Sequence, residues 1–291
     1  MSGNQKLPII LAHGIARFDI LSVKLETKFK LPEDHLTEKF QYFKKIKPHL
    51  EAAGFTVSHP NQDFAGPVDL RAEQLRDRVN DVLASTGAAK VHIIAHSMGG
   101  LDARHMIVDK GMADRVASLT TIGTPHLGTV LADEIINHGG ELLKEGLRPV
   151  INVDGLADLT TTACGQFNIR AEHQEATNSV LYQTYAASEN RNMVFAPLVA
   201  AWMLIRDHEG RNDGLVPFKS QQWTPELIAA DGSRKTVVQR EFPLPADHLN
   251  EVAWWDAQEI VNPLGLLTLA KDAPEYERKI RDVYLEIAQN L

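Results

Sequence analysis

The sequence predicts an α/β fold built on a mostly parallel sheet with helices on both faces. Three observations lead there. Short, continuously apolar runs rich in β-branched residues recur along the first half of the chain. Segments with helical spacing of apolar residues separate them. The strand-like runs show no polar alternation, as expected for strands buried on both faces. Strands alternating with helices imply βαβ units.

In order, "LPIILA" (Leu7 to Ala12) reads as a buried strand, and "FQYFKKIKPHLEAAG" (Phe40 to Gly54) as a helix stopped by glycine. "FTVSHP" (Phe55 to Pro60) is a second strand. "DLRAEQLRDRVNDVLASTG" (Asp69 to Gly87) is a long helix with Leu70, Leu75, Val79, Val82 and Leu83 on one face. "KVHIIAH" is the third strand and "GLDARHMIVDKG" the helix after it. "VASLTTIG" (Val116 to Gly123) is the next strand. Residues 129–183 read as a helical lid or cap inserted into a single domain of 291 residues, broken by Gly139, Gly140, Gly146 and Gly155. Leu131, Ile135, Ile136, Leu142, Leu143 and Leu147 would pack on the core or cover an apolar site, with the glycines as hinges. "VAAWMLIRD" (Val199 to Asp207) and "RKTVVQREFPL" (Arg234 to Leu244) read as strands, "NEVAWWDAQEIV" and "PEYERKIRDVYLEIAQNL" as helices.

Composition narrows the function. With 44% apolar and 23% charged residues the chain is globular, and a net charge of -8 disfavours nucleic acid, which needs clustered Lys and Arg. The single cysteine, Cys164, excludes an intrachain disulfide. No stretch approaches the ~20 apolar residues of a membrane helix, and no signal peptide is evident. Taken as written the chain is expected in the cytoplasm; a removed leader would leave the same appearance and a secreted protein.

The chemistry centres on "VHIIAHSMGG" (Val91 to Gly100). A serine between a strand and a helix, with small residues two places to each side, marks a sharp strand–turn–helix that presents a nucleophile. Ser97 has Ala95 and Gly99 there. A serine nucleophile needs a histidine base, and the histidine needs a carboxylate, in the chain order Ser, acid, His. His248 in "LPADHLNEV" sits in the loop such a base requires. Asp213 in "GRNDGLVP" is the best acid and Asp207 its rival. Asp247 adjoins His248 and should point away, and nothing singles out Glu209 or Glu251. Acyl transfer also needs backbone donors for an oxyanion. Met98, after the nucleophile, and Ile15, in the His13-Gly14 turn after the first strand, are the candidates. His126 in "TIGTPHLGT" reads as part of a Pro/Gly turn.

These pieces resemble the bacterial true lipases, the triacylglycerol lipase family of the α/β-hydrolase superfamily. The matching stretches are "PIILAHGI", "YFKKIKPHLEAAGFTV", "RAEQLRDRV", "VHIIAHSMGGLDARHMI", "TIGTPHLGT", "LADLTT", "RNDGLVP" and "DHLNEV", in the family's order. The resemblance implies the α/β-hydrolase fold, Ser97, Asp213 and His248 as the triad, and Ile15 and Met98 as oxyanion donors, which favours Asp213 over Asp207. It implies a lipid or ester substrate, met at an oil–water interface. Carboxylesterases of short-chain esters, thioesterases and acyltransferases share the triad, so fold and triad alone leave the substrate open. An intact triad disfavours a non-catalytic binding protein. Three departures stand out, the first being Ala95 as the leading small residue of the serine turn. "LETKFKLPEDHLTEKF" (Leu25 to Phe40) is longer than the family's usual connection. The structural Ca²⁺ of many relatives uses an aspartate two residues after the histidine, where this chain has Asn250, and a second some twenty residues before Asp213, where "NRNMVFAPLVAAW" has no acid. Calcium prefers anionic oxygen ligands, so this calcium site is expected to be absent or weak, and no cofactor is required.

Overall fold

A computed structural model of the protein describes residues 6–15, 42–59, 66–148, 151, 153–254 and 269–291. The segment Leu25 to Phe40 lies outside the described residues. Six strands form one sheet: β1 (Ile9–Ala12), β2 (Val57–Ser58), β3 (Val91–His96), β4 (Val116–Ile122), β5 (Leu181–Ala186) and, after a small antiparallel pair β6 (Glu226–Ile228) and β7 (Arg234–Thr236), β8 (Val238–Glu241). Their order is β2-β1-β3-β4-β5-β8 and every pairing in the sheet is parallel.

The alternation of side chains along each strand feeds two cores. Ile9 and Leu11 of β1 join Ile94 and Ile122 on one face, where helix α1 (Ile46–Ala52) and the C-terminal helix cover them with Ile46, Leu50, Ile280 and Tyr284. Ile10, Ala12, Ile93 and Ala95 point to the other face, under α2 (Val68–Thr86) and α3 (Met98–Asp109). Two buried ion pairs brace this second layer. Arg71 on α2 grips Asp102 on α3 (Nη2–Oδ2 2.6 Å), and Arg104 on α3 meets Glu175 through two bonds of 2.8 Å. Arg104 also lies 3.9 Å over the Trp223 ring. Both are bidentate guanidinium–carboxylate contacts, the geometry that best offsets the desolvation of a buried charge.

Several predicted elements are redrawn. Val199 to Asp207 is part of a helix, α7 (Val199–Glu209), and not a strand; Ala201 and Ile205, four apart, are its buried positions, while Met203 is exposed. The apolar run looked strand-like because Trp202 and Leu204 are half-buried on other sides of the same helix. Arg234 to Leu244 divides into β7 and β8, which belong to different sheets. α1 begins only at Ile46, after Lys45 takes a left-handed conformation (φ 56). Leu70 is exposed, and Val68 and Ala72 take the buried α2 positions beside Leu75. Residues 250–252 form one 3₁₀ turn, and positions 255–261 of the predicted helix lie outside the described residues.

The 129–183 region holds several helices and the start of a strand. α4 (Val130–Asn137), α5 (Glu141–Leu147) and a 3₁₀ turn (Val153–Leu159) form the cap. The next helix, α6 (Thr161–Thr177), packs into the second core through Phe167 and Ala171, and residues 181–183 already belong to β5. In the cap Leu131, Ile135 and Leu147 are buried, whereas Ile136 and Leu142 are exposed.

The register sets up the site. Ala12 pairs with Ala95, so the turns following β1 and β3 leave the sheet side by side. α3 then approaches so closely that a Cβ on Gly99 would stand 2.5 Å from the Ala12 carbonyl oxygen. Backbone cannot retreat as a side chain can. Gly99→Ala is therefore expected to lose about 2 kcal/mol or more, lowering the melting temperature by roughly 4–8 °C. Gly165→Ala, in α6 with nothing within 4 Å of the new methyl, should raise it slightly, because alanine is the better helix former by about 0.5–1 kcal/mol. Thermal denaturation of the two variants checks the pair.

Candidate active site

Ser97 occupies the turn between β3 and α3 with φ 57 and ψ −136, a conformation an L-residue enters at a cost of about 1–3 kcal/mol. Three contacts hold it there. Its N–H donates to the Ile122 carbonyl (2.9 Å), and its own carbonyl accepts from Thr124 Oγ1 (2.8 Å) and Gly100 N–H (3.1 Å). Gly14 leans on it from the neighbouring turn, where a Cβ would lie 2.6 Å from the Ser97 Cβ. The side chain is thereby aimed at His248.

His248 Nε2 is 2.8 Å from Ser97 Oγ, and His248 Nδ1 is 2.8 Å from Asp213 Oδ2. The Asp213 carboxylate is fixed by four donors. Oδ1 accepts the N–H groups of Leu215 (2.8 Å) and Val216 (2.7 Å), and Oδ2 accepts Gln221 Nε2 (3.1 Å) besides the histidine. The Asp213 carbonyl also takes the His248 N–H at 2.8 Å. With Nδ1 donating to a carboxylate, Nε2 is left to accept from a hydroxyl. This arrangement can withdraw a proton from Ser97 while holding the imidazole in one tautomer. Asp207 is exposed on α7 and remote in role; Glu209 accepts the Val130 N–H and anchors α4.

Met98 heads α3, where a helix's first N–H groups lack intrahelical acceptors. Ile15 stands in the turn beside it. The carbonyl of His13, at the base of that turn, accepts Arg71 Nη2 at 2.8 Å, which ties the turn to the Arg71–Asp102 pair. The cap closes over both residues: a Cβ at Gly155 would be 3.2 Å from Ile15 Cγ2 and 3.5 Å from Met98 Sδ. The covering turn is pinned where Asp158 Oδ2 accepts the Val68 N–H at the start of α2 (2.8 Å). Ser97 is only 5% exposed in this conformation.

A second layer of polar residues lies behind the triad. Tyr42 Oη is 2.6 Å from His96 Nδ1, and His96 Nε2 is 2.8 Å from Glu251 Oε2. A neutral imidazole has one N–H, so His96 donates in one of these two contacts and accepts in the other. Glu251 Oε2 lies 3.8 Å from His248 Nδ1, and Glu251 Oε1 has no hydrogen-bond partner among the described residues. Burial, then the charges of Asp213 and Asp247, push the Glu251 carboxyl well above its usual range. Burial and then His248 hold His96 well below 6.5. Gly123, at φ 59, makes room for Glu251, whose Oε2 would be 2.1 Å from a Cβ there. Sequence reasoning had no motive for Glu251, Tyr42 or Gln221. The only legible signal was the i, i+3 spacing of His248 and Glu251, which a 3₁₀ turn converts into proximity.

His96, His248 and Glu251 could together offer metal ligands. Yet both ring nitrogens of each histidine already have protein partners. Asp247 does point away from His248: its carboxylate accepts the N–H groups of Leu249, Asn250 and Phe195, and burial raises it to about 6. His126 is buried between Arg104, Thr121 and the Trp223 ring, as a core residue behind its turn. The Cys164 thiol, pushed up to about 12 by burial, is inert at neutral pH.

A strained serine at a strand–helix turn, with histidine and aspartate supplied from later loops, defines a class of hydrolase. Residues 8–196 match the family model described as alpha/beta hydrolase fold, and the chain belongs to that family. It is 26% identical over 254 residues to triacylglycerol lipase 2 of Saccharomyces cerevisiae, covering 75% of each chain. It is 40% identical over 132 residues to the triacylglycerol lipases of Pseudarthrobacter phenanthrenivorans and Burkholderia plantarii, a match spanning 44% of this chain and 36% and 32% of those proteins. The fold is that of the mature form of a Bacillus licheniformis lipase (TM-score 0.62, 17% identity, 95% and 94% covered). It is also that of a metagenomic carboxyl esterase (TM-score 0.63, 16% identity, 99% and 77% covered).

If Glu251 carries its proton in the folded protein, stability must depend on it with a definite sign. The unfolded carboxyl releases its proton near 4.5 and the folded one at higher pH. The folded state therefore binds more protons between those values, and the parent loses stability as pH rises through that window. Glu251→Gln removes this loss, so its melting temperature relative to the parent should climb as the pH is raised above about 5 toward neutrality. A difference that stays constant over that range in scanning calorimetry would contradict a protonated Glu251.

Proposed function

We propose that the protein is a serine ester hydrolase acting as a triacylglycerol lipase, with Ser97, His248 and Asp213 as its triad. The observation that carries the chemistry is the continuous hydrogen-bonded chain from Ser97 Oγ through His248 to Asp213, each link 2.8 Å. As Oγ attacks the ester carbonyl, His248 Nε2 takes its proton, and Asp213 stabilises the imidazolium that results. The carbonyl oxygen becomes an oxyanion, received by the N–H groups of Met98 and Ile15. Collapse breaks the ester C–O bond, and His248 returns the proton to the departing alkoxide. Water then attacks the acyl-enzyme with His248 again as base, releasing the carboxylic acid and restoring Ser97.

The lipid substrate is supported by the relatives and by the cap. A turn seated on Ile15 and Met98 covers the serine, and Leu142, 92% exposed, and Ile136 present apolar surface on the cap helices. Movement of the cap at an oil–water interface would exchange that exposure for a lipid contact. Among the described residues no helix is long and apolar enough to cross a membrane.

No calcium enters this reading. At the position of the family's aspartate, the Asn250 amide donates to the Trp254 carbonyl (2.8 Å). The histidine loop is instead joined to the segment before α7 by Asp247, whose Oδ2 accepts the Phe195 N–H at 2.8 Å. The residues present do not fit a Ca²⁺ site, and a chelator is expected to leave the melting temperature unchanged. A clear fall on adding EDTA, reversed by Ca²⁺, would refute this.

The activity is tested with an ester series from short to long acyl chains. Long-chain esters should be preferred, with a jump in rate above their solubility limit, and Ser97→Ala should lose roughly 10⁴-fold or more in kcat. A short-chain optimum with simple saturation would replace the lipase by a carboxylesterase. An active Ser97→Ala would remove the mechanism altogether.

A further inference from the structure

Away from the serine, on the same carboxyl edge of the sheet, the chain forms a second concavity of about 610 Å³. Residues 188–191 after β5, Trp202 and Arg206 of α7, Arg211 and Asn212 before the catalytic aspartate, and residues 241–245 after β8 line it. None of the triad residues or oxyanion candidates does. Carboxyl edges are where α/β sheets receive ligands.

Its charges do not balance. Glu241 is paired with Arg211, which also reaches Ser188 Oγ. Glu189 accepts the Asn190 N–H through Oε1, and burial raises its carboxyl, which weakens its claim on a cation. Arg191 and Arg206 face the cavity with no ion pair or hydrogen bond among the described residues. Arg206 sits in the last turn of α7, where the helix dipole favours a cation; no such feature accounts for Arg191, in the loop opposite. In a protein of net charge -8, two unpaired guanidinium groups lining one hollow are out of character. Guanidinium forks suit the planar geometry of carboxylate and phosphate oxygens. Beside the polar Ser188, Asn190 and Asn212 the lining has an apolar part: Trp202 contributes its ring, its Nε1–H being spent on the Glu189 carbonyl (3.0 Å), and Pro243, Leu244 and Pro245 add to it.

We propose that this cavity binds an anionic amphiphile, its carboxylate or phosphate head held by Arg191 and Arg206 and its apolar stem laid against Trp202 and Leu244. A fatty carboxylate and a phosphate-headed lipid share this chemistry. The site goes beyond the ester-hydrolase reading and does not depend on it, since the cavity and the triad have no side chain in common. Asn212 links the two places along the chain, lining the cavity and preceding Asp213, with its Oδ1 accepting the Gly214 N–H (2.9 Å).

The test uses the full chain with Ser97→Ala, so that turnover cannot contribute, and titrates octanoate and octyl phosphate below their micellar concentrations by calorimetry. One site should saturate. Arg191→Gln and Arg206→Gln should each weaken it about tenfold, the worth of one charge-assisted hydrogen bond to a ligand, and the double variant should abolish it. Both side chains are exposed, so the variants should fold; circular dichroism confirms that. Acetate and inorganic phosphate, which lack the stem, should bind at least tenfold more weakly than their octyl counterparts. Tighter octyl phosphate assigns the head to a phosphate ester, and tighter octanoate to a fatty acid. Absence of saturable heat, binding unchanged in the double arginine variant, or equal affinity for the stemless ions would each overturn the proposal.

Discussion

Where α3 leaves β3, one close approach governs the geometry around it. Gly99 lets the helix press onto the carbonyl of Ala12, and that contact leaves Ser97 no ordinary conformation. The strain at Ser97 is then held by bonds from three directions: Ile122 on β4, Thr124 beyond it, and Gly100 on the helix. Because β1 and β3 are paired in register through Ala12 and Ala95, the same contact sets Gly14 against the serine and Ile15 beside Met98. The proposed nucleophile and oxyanion donors thus share one rigid foundation. Strain at a functional residue persists only when its surroundings over-determine it, and here they do.

The proposed base, His248, has a different kind of support. His248 sits in a loop, and loops are held by hydrogen bonds more than by packing. Asp213 meets it twice, through its carboxylate and its carbonyl. Asp247 turns the other way and caps the following turn while reaching Phe195. Behind both, the Tyr42–His96–Glu251 chain fills the space between the nucleophile strand and the histidine loop with fully paired imidazole. Three carboxyl groups close to one histidine would repel one another if all were ionised. Burial and the neighbouring carboxylates raise the Glu251 carboxyl well above its usual range, which eases that repulsion.

Much of this was legible in the sequence because it rests on local rules. A continuous apolar run ending in small residues around a serine carries its own geometry, so β3, α3 and the elbow could be placed from Val91 to Gly100 alone. His248 and Asp213 could be put forward because the chain order and the turn chemistry of Asp-Gly restrict the choices, and in the structure they hydrogen-bond to each other and His248 to Ser97. What escaped depends on long-range contact. Glu251 and Tyr42 enter the site only through tertiary contacts with His96, from 155 and 54 positions away. α7 was misread because an amphipathic helix half-covered by a cap shows apolar residues on more than one side. Phe167 and Ala171 of α6 are as apolar as residues 130–147, and only packing shows which core they join.

The central claim is that Ser97 is a nucleophile activated by His248. The most direct measurement is intact-mass analysis after treatment with an organophosphonate ester, followed by peptide mapping. The account predicts one adduct per chain, on Ser97, formed in step with loss of ester hydrolysis and slowed severely in His248→Ala. An unmodified Ser97 in protein that still hydrolyses esters, or labelling equally fast without His248, would contradict it.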